Sequence, residues 1–308
     1  MSVTSPSLSI LIITYNRCDD CLALLKNLEG QHQVNEFAGE ILLLNNNSSD
    51  SYQPVLDFIR NSLLPIKYIQ HQENLGVAGG RNFLIERAQF PYLLVLDDDV
   101  EFDRPDAIRT IAGLWNKEIY QKNNTAVITL NIHYYETRER QRNALPHKNY
   151  KEYKDKDCFL TYYFTGAAHL MKKELFEKTG YYPQDFFYGM EEYDLSYRIV
   201  DAGYTLAYDS SVLVWHKESA LGRMPNREKL KMMWYNKSVV AWKYLPEKFY
   251  HSTARMWGLY YLRHSGFDLK GFFENRKKIT TIPKKVDRRP ISTKALAYLY
   301  KVKARLSY

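Results

Sequence analysis

Cysteine is scarce in this sequence, which has three cysteines among 308 residues, at positions 18, 21 and 158. A low and odd number argues against a disulfide framework and favours a reducing compartment. Cys18 and Cys21 have the C-x-x-C spacing, but a structural zinc site needs four ligands and the sequence has no second pair. The spacing therefore predicts two residues in the first turns of a helix, rather than a metal or redox site.

Long apolar runs are also lacking, and none approaches the roughly 18–20 residues that span a bilayer. The N-terminal segment MSVTSPSLSILII has no basic residue before its apolar stretch, so we expect no signal peptide there. Hydrophobic residues make up 45% of the chain and charged residues 25%, which is typical of a globular protein. The length allows one large domain with an extension, or two domains.

The net charge of +8 is distributed unevenly along the chain. Residues 217–308 contain 22 Lys and Arg against 6 Asp and Glu, whereas residues 1–216 contain 21 against 29. The sequence therefore predicts an acidic N-terminal body over 1–216 and a basic, aromatic C-terminal region over 217–308. Basic tails bind nucleic acids, anionic membrane surfaces or acidic partners.

Short apolar runs alternate with helical stretches of about a dozen residues over the first two thirds of the chain, which predicts βαβ units and an α/β fold with a mostly parallel sheet. Strands are expected at 8–13, 40–44, 66–70, 92–96, 125–132 and 211–215. Helices are expected at 17–29, 52–62, 81–88, 105–118, 172–179, 191–202 and 225–245. We expect Asn16 to cap the first helix, Pro105 to begin the fourth, and residues 133–158 to form a long loop.

The segment YLLVLDDDVEF at 92–102 places three aspartates at the end of a predicted buried strand. Ligands of open α/β sheets lie beyond the carboxyl ends of the strands. Adjacent carboxylates repel one another unless a cation lies among them, and Mg²⁺ and Mn²⁺ prefer carboxylate oxygens. The three aspartates therefore indicate a divalent metal site. A solvated, helix-capping acidic turn is the alternative.

Six segments resemble, in this order, the motifs of glycosyltransferase family 2: LSILIITYNR, EILLLNNNSSD, NLGVAGGRN, LLVLDDDV, TGAAHLMKKELFEKTG and FFYGMEEYDLSYRI. The resemblance covers residues 7–216. It implies the GT-A fold, with a Rossmann-like sheet flanked by helices, and an inverting, metal-dependent transfer from a nucleotide-sugar. The NLGVAGG form is most similar to rhamnosyl and galactosyl transferases of bacterial surface polysaccharide synthesis.

The resemblance also implies the donor site. Asp97 and Asp99 would hold manganese or magnesium, His216 would complete the metal site, and Asp98 would face the ribose or the sugar. Asn45 stands where the family usually has an aspartate that binds the pyrimidine. The full set implied for donor binding is Thr14, Tyr15, Asn16, Arg17, Asn45, Asn46, Asn74, Gly76, Gly79, Gly80, Arg81, Asp97 and Asp98. An ordinary βα turn at 14–17 and a glycine-rich loop at 74–81 that only leads into a helix are the alternatives.

A second acidic cluster contains Glu191, Glu192 and Asp194. The resemblance implies that Glu192 is the catalytic base, in a place where the family usually has an aspartate, and that Glu191 is structural or contacts the acceptor. An inverting transfer requires a carboxylate that takes the proton of the acceptor hydroxyl. Asp194 belongs to the same candidate catalytic group, and its spacing to Arg198 predicts an ion pair. A helix N-terminus rich in acids is the alternative.

The acceptor side and the tail are less well specified. Gly166 and Ala167 match the family's acceptor segment, and Trp215 is either a core residue or a platform for a sugar.

In the tail helix, Leu230, Met233, Trp234, Ala241 and Leu245 share one face, and the lysines at 229, 231, 237 and 243 lie elsewhere. Such a helix binds a membrane surface or docks on the catalytic domain.

The resemblance thus implies transfer of a sugar from a UDP- or dTDP-sugar to a hydroxyl of a lipid-linked bacterial surface glycan, such as capsule or O-antigen. The expected location is the cytoplasm, at the inner face of the membrane, with no nucleic-acid partner because no recognition motif is present. A nucleotidyltransferase is one alternative, although no lysine-rich phosphate loop lies near the N-terminus. A non-catalytic scaffold that binds nucleotide-sugar or membrane is the other, favoured by the departures at Asn45 and Glu192.

Overall fold

The computed structural model of this protein describes residues 7–218 and 226–306. The strands that it contains are β1 (Leu8–Thr14), β2 (Ala38–Asn45), β3 (Ile66–Gln70), β4 (Tyr92–Asp97), β5 (Val100–Phe102), β6 (Thr125–Tyr134), β7 (Cys158–Thr161), β8 (Ala168–Lys172) and β9 (Thr205–His216).

The helices are α1 (Cys18–Glu29), α2 (Val34–Phe37), α3 (Gln53–Asn61), α4 (Gly76–Arg87), α5 (Ala107–Gly113), α6 (Glu118–Lys122), α7 (Tyr150–Tyr153), α8 (Leu175–Thr179), α9 (Glu191–Asp201), α10 (Asn226–Tyr244), α11 (Glu247–His264), α12 (Leu269–Thr280), α13 (Ile282–Lys285) and α14 (Thr293–Lys301). Residue 225, where the sequence places the start of the tail helix, lies outside the described residues.

One sheet organises the fold, with strand order β3-β2-β1-β4-β8-β6-β9-β5 and with β7 paired to β9. Strands β1 to β4 are parallel, in a register that places Leu11 between Leu42 and Val95. β8 is antiparallel to both of its neighbours, β4 and β6. The predicted α/β class with a helical C-terminal region is therefore confirmed.

Both faces of the sheet are covered, which explains why the strands are continuous apolar runs. In β1, Ile10 and Ile12 contribute to the core beneath α1, whereas Leu11 contributes to the opposite core. Cys21 is buried in the first of these cores and Cys18 begins α1, so the C-x-x-C pair lies in the first turns of a helix as predicted. All three cysteines are free.

Several predicted elements differ from the structure. The single helix expected at 105–118 is α5, a 3-10 turn and the start of α6, and Pro105 precedes α5 rather than beginning it. The first residues of the loop expected at 133–158 belong to β6, and the rest of the loop contains α7. The glycine-rich segment expected as a loop is the first turn and a half of α4. Short strands β5, β7 and β8 were missed because their pairing partners are distant in sequence.

The C-terminal helices pack on the sheet domain rather than standing apart from it. Leu230, Trp234, Ala241 and Leu245 are buried, and the core that they enter also contains residues of α4 and α9. Lys237 departs from the predicted polar face because it is buried, with its ammonium 3.0 Å from the centre of the Tyr193 ring. Helix α10 therefore docks on the sheet and its flanking helices. Among the described residues, none of the helices combines the length and apolarity needed to cross a membrane.

Candidate active site

The carboxyl ends of β1, β2 and β4 lie side by side, since the parallel register pairs Thr14 with Asn45 and Ile13 with Asp97. The loops that follow these strands converge at this edge of the sheet, where open α/β folds bind their ligands. A cavity of about 710 Å³, here called the smaller cavity, opens between them. Nine of the residues predicted for donor binding line it: Tyr15, Asn16, Arg17, Asn46, Asn74, Gly76, Arg81, Asp97 and Asp98.

The three predicted metal ligands come together at the rim of this cavity. Asp97, Asp99 and His216 each offer a ligand atom, and these atoms all lie within 4.8 Å of one another. The antiparallel pairing of β5 with β9, which matches Val100 with His216, brings the imidazole to the aspartates. Two carboxylates and an imidazole form a donor set that suits Mn²⁺ and related divalent ions. These residues therefore fit a divalent metal.

His216 is held between two side chains. Its Nε2 lies 3.2 Å from Oδ1 of Asp99, and its Nδ1 lies 3.0 Å from the amide oxygen of Gln141. Because an amide oxygen only accepts, Nδ1 carries the proton and Nε2 faces the aspartates. Burial disfavours the charged imidazole, but the hydrogen bond and the charge of Asp99 outweigh it and raise the pKa of His216. Sequence analysis missed Gln141, which lies in the long loop and carries no motif.

Arg17 provides a positive charge beside Asp98 and Asp99. Its Nη1 lies 2.9 Å from Asp98 and 3.2 Å from Asp99. Burial raises the pKa of Asp98 to about 7, against the opposing effect of Arg17. The three adjacent carboxylates thus have different surroundings. Asp98 and Asp99 are buried beside a guanidinium, and Asp97 is partly exposed at the rim.

A second, larger cavity of about 1340 Å³ adjoins the first. The described residues that line both cavities are Val77, Arg81, Asp97, Tyr188 and His216. The predicted acceptor residues Gly166 and Ala167 line the larger cavity, as do Glu191 and Glu192. The candidate base and the candidate metal site therefore lie at the junction of two connected cavities.

Arg81 is the centre of this junction. Its guanidinium lies 3.0 Å from Glu192, 3.3 Å from Asp97 and 3.1 Å from the carbonyl oxygen of Gly166. A Cβ on Gly166 would overlap both the Glu192 carboxylate and the Arg81 guanidinium, so only glycine leaves room for their contact. Glu191 also approaches Arg81, at 3.8 Å. One buried cation therefore serves three carboxylates from two acidic segments.

The two glutamates of α9 differ in environment. The Glu191 side chain is 5% exposed, whereas that of Glu192 is 17% exposed and reaches the larger cavity. Burial and the neighbouring charge of Glu192 raise the pKa of Glu191 well above its ordinary value despite Arg81. The left-handed residues Gly189 and Met190 turn the chain into α9, and this turn presents its first residues to the junction. Glu192 is therefore the better placed of the two to contact an acceptor.

Asp194 has a structural environment, which corrects its inclusion in the catalytic group. One carboxylate oxygen lies 2.8 Å from Nε of Arg198, so the predicted ion pair is confirmed. The other oxygen accepts hydrogen bonds from Lys243 at 2.8 Å and Tyr244 at 2.9 Å. Asp194 thus anchors α10 to α9 and lies outside the set of described residues that line the two cavities.

Thr14 and Asn45 lie behind the wall of the smaller cavity. The hydroxyl of Thr14 bonds to that of Tyr52. The amide of Asn45 donates to the Tyr68 hydroxyl at 2.8 Å and accepts from the Ser48 backbone at 2.9 Å. Both side chains are almost wholly buried. They support the strand ends and are not among the residues that line the smaller cavity, so their contact with the nucleotide stays a prediction.

Asn16, Gly79 and Gly80 also act differently from the prediction. Asn16 has a left-handed backbone, and its oxygen accepts from the Ser49 backbone at 2.8 Å, which joins the loops after β1 and β2 instead of capping α1. Gly79 and Gly80 lie in α4, where a Cβ on Gly80 would be 3.0 Å from Ile13 of β1. Gly80 therefore allows close helix–sheet packing, whereas a Cβ on Gly79 would meet only Leu75, at 3.1 Å. Gly76 alone of the three lines the cavity, with positive φ.

Trp215 faces away from both cavities. Its indole N–H donates to Asp103 at 2.8 Å, and Arg138 lies over its ring at 4.4 Å. The side chain therefore belongs to the β5–β9 edge and lines neither cavity, which argues against its predicted place on the acceptor side. Alternation along β9 explains the difference, because neighbouring residues of a strand point to opposite faces and His216 faces the aspartates.

The tail contributes a wall that sequence analysis did not anticipate. Of its residues, Met233, Met256, Trp257, Leu259, Tyr260, Arg263, His264 and Arg305 line the larger cavity. They face Tyr163 and Tyr193, which stack with ring centres 4.6 Å apart. No local pattern indicates this arrangement, although the aromatic richness of the tail is the signal that could have suggested a binding surface.

Comparison with known proteins agrees with this geometry. The sequence profile described as Glycosyl transferase family 2 matches residues 9–180, which is more than half of the chain. The chain therefore belongs to glycosyl transferase family 2 and is a glycosyltransferase. An uncharacterized protein of Haemophilus influenzae is 37% identical to it over 183 residues, which are 57% of this chain and 92% of that protein.

Solved structures share the fold at 15% sequence identity. S. aureus TarS 1-349 in complex with UDP-GlcNAc gives a TM-score of 0.63 over 90% of this chain and 81% of that one. The mannosyltransferase PcManGT of Pyrobaculum calidifontis, with GDP-Man and Mn²⁺, gives 0.60 over 96% and 79%. GalNAc-T7, with UDP, GalNAc and Mn²⁺, gives 0.63 over 98% of this chain. The chain spans 58% of GalNAc-T7 and 39% of the longer TarS chain. These similarities confirm the GT-A fold.

Proposed function

We propose that this chain is a metal-dependent, inverting glycosyltransferase that moves a sugar from a UDP- or dTDP-sugar to a hydroxyl of a lipid-linked bacterial surface glycan. The main support is the junction of the two cavities, which Asp97, Arg81 and His216 line from both sides. A nucleotide-sugar in the smaller cavity and an acceptor in the larger cavity would meet there. The candidate base Glu192 lies on the acceptor side of this junction.

Asp97, Asp99 and His216 would hold the metal, and the complexes of the two structural neighbours with Mn²⁺ support this assignment. When bound, a divalent ion neutralises the charge that develops on a diphosphate leaving group. Arg17, which contacts Asp98 and Asp99, adds positive charge at the same rim. The neighbours' ligands, UDP-GlcNAc, UDP and GDP-Man, support a nucleoside diphosphate in the smaller cavity.

Glu192 would remove the proton of the attacking hydroxyl during inversion at the anomeric carbon. A base must lie within hydrogen-bond reach of that hydroxyl, and Glu192 is the more exposed of the two glutamates at the junction. Arg81 holds its carboxylate in place at 3.0 Å. Glu191, buried behind it, would support the position of Arg81 rather than touch the acceptor.

The acceptor would occupy the larger cavity, whose aromatic walls suit the apolar faces of sugars, with their hydroxyls meeting polar tips. The basic tail supports an acceptor carried on a membrane lipid, with the enzyme at the inner face of the cytoplasmic membrane. The division into a catalytic domain over 1–216 and a C-terminal region over 217–308 belongs to this proposal. Capsule and O-antigen chains are glycans of this kind.

The decisive experiment is calorimetric binding of UDP, dTDP, GDP and CDP with Mn²⁺ to the wild type, to Asp99→Ala and to the control Asp106→Ala. Asp106 is an exposed carboxylate outside the residues that line either cavity. We expect tight, metal-dependent binding of one pyrimidine diphosphate that is lost in Asp99→Ala and in EDTA, but kept in Asp106→Ala. Absence of metal-dependent binding for all four nucleotides would refute the donor site.

Product analysis then separates the reaction classes. Glycosyl transfer or hydrolysis releases a nucleoside diphosphate from the sugar nucleotide, whereas a nucleotidyltransferase releases pyrophosphate. We expect the diphosphate, with a rate reduced about 10²–10⁴-fold in Glu192→Gln at unchanged nucleotide affinity. Binding without turnover across a broad donor panel would support the non-catalytic scaffold instead.

A further inference from the structure

The described chain exposes nine large hydrophobic side chains, and five of them lie within residues 259–273. These five, here called the apolar corner, are Leu259, Tyr260, Phe267, Leu269 and Phe273, each between 45% and 71% exposed. They flank the single turn between α11 and α12. Single exposed hydrophobic residues are ordinary, but a concentration of large ones marks a contact surface.

The turn itself is firmly built, so the exposure of these side chains is not a consequence of a loosely packed segment. Asp268 caps α12 by accepting from the Gly271 backbone at 3.0 Å, and it also accepts from the Tyr261 hydroxyl at 2.6 Å. Phe272 packs on Trp234 of α10, with ring centres 5.3 Å apart. Phe267 and Phe273 are therefore held outward on a rigid helical corner.

The charge around the apolar corner indicates what kind of partner it contacts. Residues 259–278 contain five Lys and Arg against two acids, Asp268 and Glu274, and Asp268 is engaged within the turn. The exposed cations around the corner are Arg263, Lys270, Arg276, Lys277 and Lys278. Aromatic and leucine side chains surrounded by basic residues are the composition of interfacial membrane anchors, in which apolar groups enter the lipid and cations contact anionic headgroups.

The corner is also continuous with the proposed acceptor site. Leu259, Tyr260 and Arg263 line the larger cavity, which Glu192 and Asp97 also line. A surface that seats Leu259 and Tyr260 in lipid would place this end of the cavity against the bilayer. An acceptor sugar on a lipid could then enter the cavity without leaving the membrane.

We propose that the apolar corner is the surface by which this protein docks on an anionic lipid bilayer, with the mouth of the larger cavity facing the membrane. Docking by the corner is independent of the reaction, whereas the entry of a lipid-linked acceptor rests on the proposed function. Helix α10, the other basic segment of the tail, cannot serve in this way because its apolar face is buried against the catalytic domain.

The test is co-sedimentation of the full-length protein with vesicles of phosphatidylcholine alone or with about 30% phosphatidylglycerol. The apolar variant combines Phe267→Ser, Leu269→Ser and Phe273→Ser. The matched control is Leu63→Ser, which changes a leucine that is 91% exposed in the turn before β3. We expect the wild type and the control to bind anionic vesicles, and the apolar variant to bind about 100-fold more weakly.

A charge variant, Lys270→Gln with Lys277→Gln, should lose the preference for phosphatidylglycerol, whereas Lys122→Gln on α6 should not change it. Metal-dependent nucleotide binding, measured on the same samples, verifies that each variant is folded. A wild type that stays in the supernatant, or an apolar variant that sediments like the control, would overturn the proposal whatever the nucleotide result. Light scattering that finds a dimer broken by the apolar variant, without vesicle binding, would identify the corner as a self-association face and also overturn it.

Discussion

Arg81 and Glu192 meet at the junction of the two cavities, with Nη1 of Arg81 3.0 Å from Oε1 of Glu192. The guanidinium is 4% exposed and also contacts Asp97 and Glu191, so it is the cation that allows three carboxylates to lie close together. In the proposed mechanism, stability and catalysis therefore depend on the same side chain. From its place in the glycine-rich motif alone, Arg81 would be assigned to phosphate binding, and its contacts with the three carboxylates would be missed.

Replacing Arg81 by methionine should destabilise the protein by about 3–5 kcal/mol, because it leaves buried carboxylates without their cation. Adding Glu192→Gln to this variant should recover part of the loss by removing one of the repelling charges. The measurement is urea unfolding followed by tryptophan fluorescence. The control is Arg60→Met, which removes an exposed pair with Asp57 and should cost less than about 1 kcal/mol. Equal losses in the two methionine variants would contradict the role of Arg81.

Gln141 should control metal affinity through His216. Its amide oxygen accepts the Nδ1 proton at 3.0 Å and leaves Nε2 directed at the aspartates. Gln141→Leu removes this acceptor, and we expect Mn²⁺ to bind about 10–100-fold more weakly. Calorimetric titration of Mn²⁺ in the presence of the preferred nucleotide gives the affinity. Gln121→Leu on α6 is the control, and a Gln141→Leu affinity within about twofold of the control would refute the coupling.

Asp194 should matter for stability and not for chemistry. Asp194→Asn weakens contacts to Arg198 and Lys243, whose side chains are 21% and 19% exposed, so we expect a loss of about 3 kcal/mol. The turnover number of the folded enzyme should remain within about threefold of the wild type, in contrast to Glu192→Gln. Unfolding curves and steady-state rates on both variants make the comparison. A large rate loss in Asp194→Asn with unchanged stability would restore Asp194 to the catalytic group.

The buried carboxyl of Glu191 predicts a pH dependence of stability. Burial and the charge of Glu192 raise the pKa of Glu191 above the ordinary value of 4.5, so the folded state keeps a proton that the unfolded state releases. The free energy of unfolding should therefore fall as the pH rises above about 4.5. Glu191→Gln should flatten this decline, whereas the exposed Glu118→Gln should not. Urea unfolding in EDTA between about pH 5 and pH 8 tests this, and parallel curves for Glu191→Gln and the wild type would contradict it.

Much of the sheet could be predicted from the sequence. The runs that became β1, β2 and β4 are mostly apolar because both faces of these strands are buried, and such runs with helical spacers identify parallel strands. The prediction was weaker where pairing partners are far apart. Antiparallel β8 lies between β4 and β6, a position that depends on the whole sheet rather than on its own five residues.

The residue types of the site could also be predicted, since acids, glycines and a histidine follow the strand ends in the order of a known family. Which of these side chains reach the two cavities could not be predicted. Trp215 and His216 are adjacent, yet one faces an outer edge and the other faces Asp99. Asn45 and Gly80 stand in motif positions but support packing. Such differences arise from side-chain direction and from contacts among segments that are distant in sequence, which local sequence cannot encode.

The amino-acid sequence by itself determined that this protein is an α/β glycosyltransferase with an acidic centre and a basic tail, because strand hydrophobicity, motif order and net charge are properties of the chain. Only the tertiary structure decided that Arg81 links Glu192 to Asp97, that Gln141 orients His216, and that the tail forms one wall of the larger cavity. The reason is physical. Burial, ion pairing and cavities are made by segments that meet only after the chain has folded.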